Sequence, residues 1–483
     1  MLRERIRKQL NTTGSDRLLI VDKDRFHELF DYVSLLEEEG FRVIPYGDIE
    51  GFRAEYERNL REKPGKFAVT LQNDLYVPYD IEKSFDAAEI SLDALFPRLH
   101  GDTLRKYRHD LELVSLAYED CFDDLESAKE TETFITKQAF ARENTSRYTE
   151  QEIAALREIC ENAQNYTGWI DNARRVAKLR YYAAKIGQTL DLDFVEEGFS
   201  AFILKDYGRL QGESNTTYPP ILPRVLGHIV RDNAEKKALI VMDGMSLADF
   251  EALSRTLDDF RYHYACSYAL IPTTTSISRQ CLLSGKYPIQ LADPFTLNNE
   301  EKGFHEEMAT LGYQKRQVQY ARGADVEVGP AVSFLTIILN DIDDIVHGQR
   351  QGRVGMTNDM EILGKSRKIQ NLITRLMKSG FTVWMTADHG NTFCKGIGNL
   401  RKGVAVRTKG NRMIILKDYA GESELIRENT IKYPGWYSDE KYQYFICKTG
   451  LSFDNKDEEV MTHGGVSIEE VIVPFIKFLG VNE

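Results

Sequence analysis

The chain has 483 residues, of which 42% are apolar, enough for two or three domains with cores of their own. Its formal net charge of −13 argues against broad, sequence-independent binding to nucleic acid. No apolar run is long enough to span a membrane, and the charged N-terminus has no apolar signal core, so we expect a cytoplasmic protein. The six cysteines are scattered without paired spacing, which indicates reduced thiols and neither a disulfide framework nor a zinc knuckle.

Residues 1–101 are predicted to form a small α/β domain. Short apolar runs at Arg17–Val21, Phe41–Ile44 and Phe67–Leu71 predict strands. The amphipathic pattern over Phe26–Glu39 predicts a helix between the first two strands.

Residues 102–233 show a different pattern, with apolar residues at helical spacing and many charges between them. The loop-like stretch Glu213–Pro223 near its end predicts a linker. We therefore expect a helical segment and linker over residues 102–233, followed by a catalytic domain over residues 234–483.

The stretch Ala238–Ser246, ALIVMDGMS, opens the chemistry of this last domain. Its five apolar residues predict a strand buried on both faces, and the strand ends at Asp243. In an α/β sheet, ligands bind outside the carboxyl ends of such strands. Taken alone, Asp243 is more typical of a helix cap or a turn. Four further segments with the chemistry of ligands favour the metal-ligand interpretation.

The next segment is Ile271–Gly285, IPTTTSISRQCLLSG, which follows a predicted strand and opens a short helix. The Thr275 hydroxyl would lie among the free amides of the helix N-terminus, which favour an anion such as a phosphoryl group. A threonine at a helix start is usually an N-cap, so this segment by itself is weak evidence.

Three later segments pair acids with imidazoles. In NDIDDIVHG, Asp343 and His347 are four residues apart and face the same way on a helical turn. In FTVWMTADHGNT, Asp388 and His389 directly follow a buried strand, and in MTHGGVSIEEVIVPF, His463 precedes two glycines. Acid and imidazole side chains at strand ends suit a divalent metal.

Together these side chains make two predicted ligand sets. The first is Asp243, Thr275, Asp388 and His389, and the second is Asp343, His347 and His463. An inventory with three imidazoles fits zinc best and manganese next, and it fits magnesium poorly. We predict two divalent ions, because two metals about 4 Å apart can activate a nucleophile and hold both oxygens of an in-line phosphoryl displacement.

This order of motifs resembles that of the alkaline phosphatase superfamily. More narrowly, PTTTSISRQCLLSG, TADHG and THGGVSIEEVIVP resemble the PglZ family, which is found in bacterial phage-defence (BREX) gene clusters, over residues 236–477. The resemblance implies an α/β fold whose alkaline-phosphatase-like core sheet has helices on both faces. The small α/β domain and the helical segment would precede that core.

The resemblance also implies a nucleophile. In superfamily diesterases with a Pro-Thr-x-Thr pattern the second threonine attacks, and that position maps onto Thr275. The run of three threonines leaves Thr274 and Ser276 open as alternatives.

Candidate substrate-binding residues are basic. Six basic residues and no acidic one lie in a single segment: Lys395, Arg401, Lys402, Arg407, Lys409 and Arg412. Two interpretations fit this segment equally well, a solvated loop or a rim that guides a nucleotide or a nucleic-acid end through its phosphate. Arg279, on the helix that Thr275 opens, could reach the phosphoryl group or pair with an acidic neighbour.

The sequence therefore predicts a two-metal phosphoesterase in which Thr275 attacks phosphorus and a phosphothreonyl intermediate is hydrolysed. A phosphodiesterase acting on a nucleotide or nucleic-acid-derived phosphate, in phage defence beside other defence-system proteins, is favoured partly by family analogy. One alternative is a non-catalytic, metal-stabilised scaffold of a defence complex. The other is a phosphomonoesterase or phosphomutase of the same superfamily, although the interval from Thr275 to Phe334 is short for the cap domain of a mutase.

Overall fold

The computed structural model describes residues 2–23, 25–28, 30–72, 75–162, 165–399, 410–417 and 423–481. The chain divides into two compact units, Met1–Tyr148 and Thr149–Glu483. The boundaries expected at residues 101 and 233 concern which segments fold independently, and they stay predictions.

The first unit is built on a small parallel sheet. Its strands are β1 (Arg17–Asp22), β2 (Phe41–Pro45), β3 (Lys66–Gln72) and β4 (Asp86–Ile90), in the order β2-β3-β1-β4. Its helices are α1 (Leu2–Leu10), α2 (Tyr32–Glu38), α3 (Ile49–Glu55, continued by the π-helical Tyr56–Leu60), α4 (Tyr79–Glu82), α5 (Leu92–Leu95), α6 (Gly101–Arg105), α7 (Leu111–Glu119), α8 (Ala128–Phe134, continued by the π-helical Ile135–Ala139) and α9 (Arg142–Asn162), which crosses the boundary between the units. Alternate residues of β1 point to opposite faces, so Leu18 and Ile20 join one apolar cluster and Leu19 joins the other.

The predicted helix over Phe26–Glu39 was wrong in its first half. A 3₁₀ turn covers Phe26–Glu28 and the α-helix begins only at Tyr32. The buried carboxylate of Asp22 accepts the backbone amides of Phe26 and His27, which holds a tight turn directly after β1. Asp31 then caps α2 by accepting from the Ser34 amide at 3.0 Å.

The second unit contains the larger sheet. Its elements up to the middle are α10 (Tyr166–Ile186), α11 (Asp193–Lys205), α12 (Val225–Val230), β5 (Lys236–Met242), α13 (Leu247–Ser254), β6 (Phe260–Tyr268), α14 (Thr275–Ser284), α15 (Glu300–Thr310), β7 (Val318–Arg322), β8 (Phe334–Leu339), α16 (Asp341–Gly348), α17 (Gly352–Lys365), α18 (Lys368–Lys378) and β9 (Phe381–Ala387). They are followed by β10 (Thr392–Gly396), β11 (Met413–Lys417), α19 (Glu424–Asn429), β12 (Thr430–Tyr433), β13 (Tyr442–Cys447), β14 (Leu451–Ser452), β15 (Glu459–Thr462), α20 (Ile468–Val471) and β16 (Ile472–Val481). Short 3₁₀ turns lie at Arg108–Asp110 in the first unit and at Tyr207–Gly212, Leu222–Arg224, Pro288–Gln290 and Lys315–Gln317 in the second.

The six-stranded sheet has the order β6-β16-β9-β5-β8-β7. Strands β7, β8, β5 and β9 are parallel neighbours, whereas β16 pairs antiparallel with both β9 and β6. The carboxyl ends of β6, β9, β5 and β8 therefore meet at one edge, where the amino end of β16 also lies. Residues that follow these four strands, or that precede β16, are brought together there although they are far apart in sequence.

Apolar runs explain why these strands are central. Every residue of β8 is buried, and β5 is buried from Lys237 onward, as expected for parallel strands covered on both faces. Two smaller sheets, β11-β13-β12 and β14-β10-β15, complete the unit. No helix in the described part of the chain is long and apolar enough to cross a membrane. The predicted α/β class is confirmed, with a core sheet flanked by helices and preceded by a small α/β region and a run of helices.

Candidate metal centre

Two carboxylates leave the sheet side by side. Asp243 directly follows β5 and Asp388 directly follows β9, and the last residues of these strands, Met242 and Ala387, are paired in register. Gly244 has a φ of 78°, and its amide donates to Asp388 Oδ1 at 3.1 Å. This conformation is accessible to glycine at little cost, so the turn after β5 can bend toward the neighbouring strand.

The first ligand set gathers around these carboxylates. The Nε2 atom of His389 lies 3.7 Å from Asp243 Oδ1 and 4.0 Å from Asp388 Oδ2. The Thr275 hydroxyl lies 3.1 Å from the same Nε2 and 3.4 Å from Asp243 Oδ1. The ligand atoms of the two acids and the histidine all lie within 4.8 Å of one another, so a single ion can contact them together.

The second set forms next to the first. Asp343 and His347 lie one turn apart on α16, with His347 Nε2 3.3 Å from Asp343 Oδ1. His463, in the loop before α20, brings its Nε2 to 3.7 Å from the same oxygen. The His463 ring stacks on the ring of His389 at a centroid distance of 4.2 Å, so the two sets are contiguous. The structure thus brings together all seven side chains that the sequence analysis assigned to two sets.

The donor atoms that face these sets suit a cation. Asp388 Oδ2 and His463 Nε2 are buried and make no hydrogen bond, and neither does Asp343 Oδ1. A buried polar atom without a partner is costly in a protein that holds nothing there. The other ring nitrogens are used: His389 Nδ1 lies 2.9 Å from the Gly390 carbonyl and His463 Nδ1 2.9 Å from the Thr273 carbonyl. Donation to these carbonyls leaves both Nε2 lone pairs free for a metal, so the residues fit divalent ions.

The local charges favour the protonation states of ligands in the second set. Burial and the adjacent imidazole of His389 lower the pKa of His463. Burial pushes the pKa of Asp343 upward, but the imidazoles of His347 and His463 outweigh it and hold that pKa below its usual value. A neutral imidazole and an ionised carboxylate are the forms that bind metal, so both shifts in the second set favour ligands. In the first set the direction is the opposite, because burial and then the Asp243 carboxylate raise the pKa of Asp388.

Of the three candidate nucleophiles, only Thr275 has its hydroxyl in contact with ligand atoms in the described structure. Thr274 is 2% exposed, and its hydroxyl is buried without a hydrogen bond. Ser276 is half-buried, on the first turn of α14. The sheet geometry therefore places the Thr275 hydroxyl at the first ligand set.

Residues 221–478 match the family described as the BREX system PglZ alkaline phosphatase-like domain, which is more than half of the chain. The chain belongs to the PglZ family. The resemblance expected from the motifs is thereby confirmed, and the chain contains an alkaline phosphatase-like domain. Such domains belong to a superfamily of phosphoesterase type, whose members generally use divalent metals, and the two ligand sets agree with that. No curated protein matches this chain.

Solved structures that are similar to part of this chain include two kinds of enzyme. An inactive murine ectonucleotide pyrophosphatase/phosphodiesterase 5 in complex with AMP is 12% identical, and the match covers 50% of this chain and 87% of that one at a TM-score of 0.34. The human form of that enzyme is 11% identical, with the same coverages and a TM-score of 0.34. Phosphonoacetate hydrolase from Sinorhizobium meliloti, in complex with phosphonoformate, is 12% identical, with coverages of 50% and 89% and a TM-score of 0.30.

The basic residues of this PglZ domain lie in different environments. Arg279 is buried beside the first ligand set and pairs with Asp243, at 2.5 Å, and with Glu300. Lys395 is exposed on β10, 2.9 Å from Asp457. Arg412 is buried and pairs with Glu470, so neither the solvated loop nor the phosphate-guiding rim describes this residue. The other four members of the predicted rim, Arg401, Lys402, Arg407 and Lys409, lie outside the described residues.

Sequence reasoning missed the polar side chains that support the ligands. Glu470 is buried and accepts the amides of Gly465 and Ser467, at 2.8 and 2.9 Å, in the loop that follows His463. Asn391 donates to the Gly244 carbonyl at 2.8 Å, which ties the loop after β9 to the turn after β5. A signal for Glu470 was present in the sequence, because Ser467 and Glu470 have the spacing of a capping box. Nothing local marked Asn391.

Proposed function

We propose that this PglZ-family chain is a two-metal phosphoesterase, and specifically a phosphodiesterase that uses Thr275 as its nucleophile. Zinc is the proposed metal, with manganese as the alternative. The proposed substrate is a nucleotide or a nucleic-acid-derived phosphate. Following the family resemblance, we further propose a cytoplasmic role in bacterial phage defence with other proteins of that system.

One observation carries the proposal: the Thr275 hydroxyl lies 3.1 Å from His389 Nε2. The same nitrogen lies within 4.0 Å of the carboxylates of Asp243 and Asp388, the other candidate metal ligands of this set. A hydroxyl there can act as both ligand and nucleophile. Divalent ions bound by the two sets would lower the pKa of that hydroxyl and offset the negative charge that builds up on the phosphoryl oxygens.

The side chains themselves orient the reaction. Thr275 sits at the first position of α14, and a helix N-terminus favours an anion such as a phosphoryl group. Its oxygen forms the new bond to phosphorus while the bond to the leaving ester oxygen breaks, and the leaving oxygen takes up a proton. Water then cleaves the phosphothreonyl group and restores the hydroxyl. His463, which stacks on His389, and its neighbour His347 lie beside the first set, where they would orient the water that hydrolyses the phosphothreonyl group.

A phosphomutase is disfavoured by the interval between the nucleophile and β8. All of residues 276–333 are described, and they contain the rest of α14, helix α15, strand β7 and two short 3₁₀ turns. This interval offers no inserted domain that could close over a mutase substrate. A phosphomonoesterase and a metal-stabilised scaffold remain the competing functions.

Matched alanine variants test the proposal. Wild-type protein, dialysed and then loaded with zinc or manganese, is assayed on bis-nitrophenyl phosphate and on nitrophenyl phosphate. Thr275→Ala should lose several orders of magnitude in diester turnover, since its nucleophile is gone, yet keep metal through the two carboxylates and His389. Ser276→Ala, the control, should lose at most about tenfold, or about 1.4 kcal/mol, because Ser276 lies within the first turn of α14 and its hydroxyl makes no hydrogen bond to a ligand atom in the described structure.

Three results would contradict parts of this function. A metal-loaded wild type that cleaves neither ester supports the scaffold. Faster cleavage of the monoester than of the diester supports a phosphatase. Near-normal turnover by Thr275→Ala, with Ser276→Ala or Thr274→Ala inactive, moves the nucleophile to that neighbour.

A further inference from the structure

The two oxygens of Asp243 face different neighbours. Oδ1 lies 3.4 Å from the Thr275 hydroxyl and 3.7 Å from His389 Nε2, on the ligand side. Oδ2 points the other way and lies 2.5 Å from Arg279 Nη1. The carboxylate is thus held on its far side by a guanidinium, which leaves Oδ1 for the proposed metal.

Arg279 is held in place in turn. Its side chain is 1% exposed, and its Nε donates to Glu300 Oε2 at 2.9 Å. Its Nη1 is also 3.8 Å from Asp388 Oδ2, the oxygen without a hydrogen bond. A rotation of the guanidinium by a small angle would therefore pair it with Asp388 at the place of a metal ligand. The bond from Nε to Glu300 opposes that rotation.

Glu300 makes no hydrogen bond or ion pair with any of the seven ligands in the described structure, yet it is as buried as Asp243, Asp388 and His389. It is the first residue of α15, and its side chain is 2% exposed. Its second oxygen accepts from the Tyr320 hydroxyl and from Arg322 Nη2, the latter at 3.1 Å. Both donors belong to β7, the edge strand of the sheet, so the carboxylate is anchored to a rigid element.

We propose that Glu300 is a positioning residue of the first metal site, acting through Arg279 to aim Asp243 at the metal. This inference rests on the proposed function, because it requires that the first set bind an ion. The chain Glu300–Arg279–Asp243 does two things at once. It fixes which oxygen of Asp243 faces the site, and it neutralises a cation that would otherwise repel the metal from close range.

Loss of the Glu300 charge affects both. A glutamine can accept one bond from Arg279 but carries no charge, so the field of the guanidinium at the first site becomes more positive. It also holds Arg279 less firmly, which lets Nη1 turn toward Asp388. Both effects weaken metal binding. Replacement of groups that orient metal ligands from outside the coordination shell commonly costs 10- to 100-fold in metal affinity.

The experiment is a competition titration of the full-length protein with zinc and a chromogenic chelator, which resolves two binding steps. Glu300→Gln should weaken one step by roughly 10- to 100-fold and change the other by less than about twofold. Glu306→Gln is the control, because Glu306 lies on the same helix, is about half exposed and pairs only with surface lysines in the described structure. Its two steps should match those of wild type.

Two further variants separate positioning from folding. Tyr320→Phe removes one anchor of Glu300 and nothing at the metal, so it should weaken the same step by a smaller factor. Arg279→Lys keeps the charge but cannot bond Glu300 and Asp243 at once with the same geometry, so it should resemble Glu300→Gln. Circular dichroism and tryptophan emission show whether each variant keeps its fold.

The outcomes are distinct. Unchanged or tighter binding in Glu300→Gln overturns the inference while leaving the proposed function intact. Equal weakening of both steps, or loss of the fold in Glu300→Gln with unchanged metal affinity in Tyr320→Phe, assigns Glu300 a purely structural role and also overturns it. A wild type that binds no metal removes the proposed function and this inference together.

Discussion

Glu196 on α11 is a buried carboxyl group whose ionisation should oppose folding. Its side chain is 7% exposed, and one oxygen accepts from the Ile468 amide at 3.1 Å. Burial first, and then the neighbouring charge of Glu469, raise its pKa from the ordinary 4.5 to about 7, although Arg180 and Arg412 act in the opposite direction. We predict that Glu196→Gln removes a pH-dependent loss of stability from the second unit.

The sign and size follow from the two pKa values. A group whose pKa is higher in the folded state binds protons more tightly there, so its contribution is complete below about 4.5 and is lost as the pH rises through about 7. The whole difference corresponds to roughly 3 kcal/mol. Of this, roughly 2 kcal/mol falls between about pH 5.5 and 8, where the unfolding free energy of wild type should decline relative to that of the variant.

The tryptophans make the assay specific to one unit. The chain has three, Trp169, Trp384 and Trp436, and all lie in Thr149–Glu483. Urea titrations followed by tryptophan emission, in excess chelator at about pH 5.5 and 8, give the free energy of unfolding of that unit. Glu197→Gln is the matched control, since Glu197 is exposed and lies next to Glu196 on the same helix.

Equal losses of stability in Glu196→Gln and wild type between the two pH values would contradict this prediction. Removal of as much of the pH dependence by Glu197→Gln as by Glu196→Gln would contradict it too. A variant that is less stable than wild type at both pH values, by an equal amount, would show that the bond to the Ile468 amide outweighs the cost of the charge.

Two other predictions concern the loop after β9 and the domain boundaries. In Gly390→Ala the added carbon would lie 1.9 Å from the Glu469 carbonyl oxygen, so the loop that carries Asp388 and His389 must move. Zinc affinity, measured by chelator competition, should therefore fall more than tenfold. Gly212→Ala is the control, because its added carbon meets nothing within 4 Å and should leave the zinc affinity unchanged. Because residues 149–483 form one compact unit, a protein of that length should show a cooperative urea transition and bind metal, whereas equal stability of a protein of residues 234–483 would support the boundary predicted at 233.

Two carboxylates of the first set could be located from the sequence because each directly follows a strand that is recognisable by itself. Asp243 and Asp388 come directly after β5 and β9, and both strands are apolar runs that need no distant partner to be recognised. Parallel strands have their carboxyl ends at one edge, so ligand positions in sequence translate into proximity in space. The donor chemistry of these residues suggested their grouping into two sets, and the family resemblance added the choice of Thr275 as nucleophile.

The tertiary structure decided what the charged side chains do. Arg279 had two interpretations in the sequence, and its acidic partners are Asp243, 36 residues away, and Glu300, 21 residues away. Arg412 belonged to a basic run in sequence, yet its partner Glu470 is 58 residues away and both are buried. Local pattern encodes which residues are apolar and where strands end, because these depend on near neighbours in the chain. The partner of a buried charge depends on which elements become neighbours in the folded unit, and only the fold specifies that.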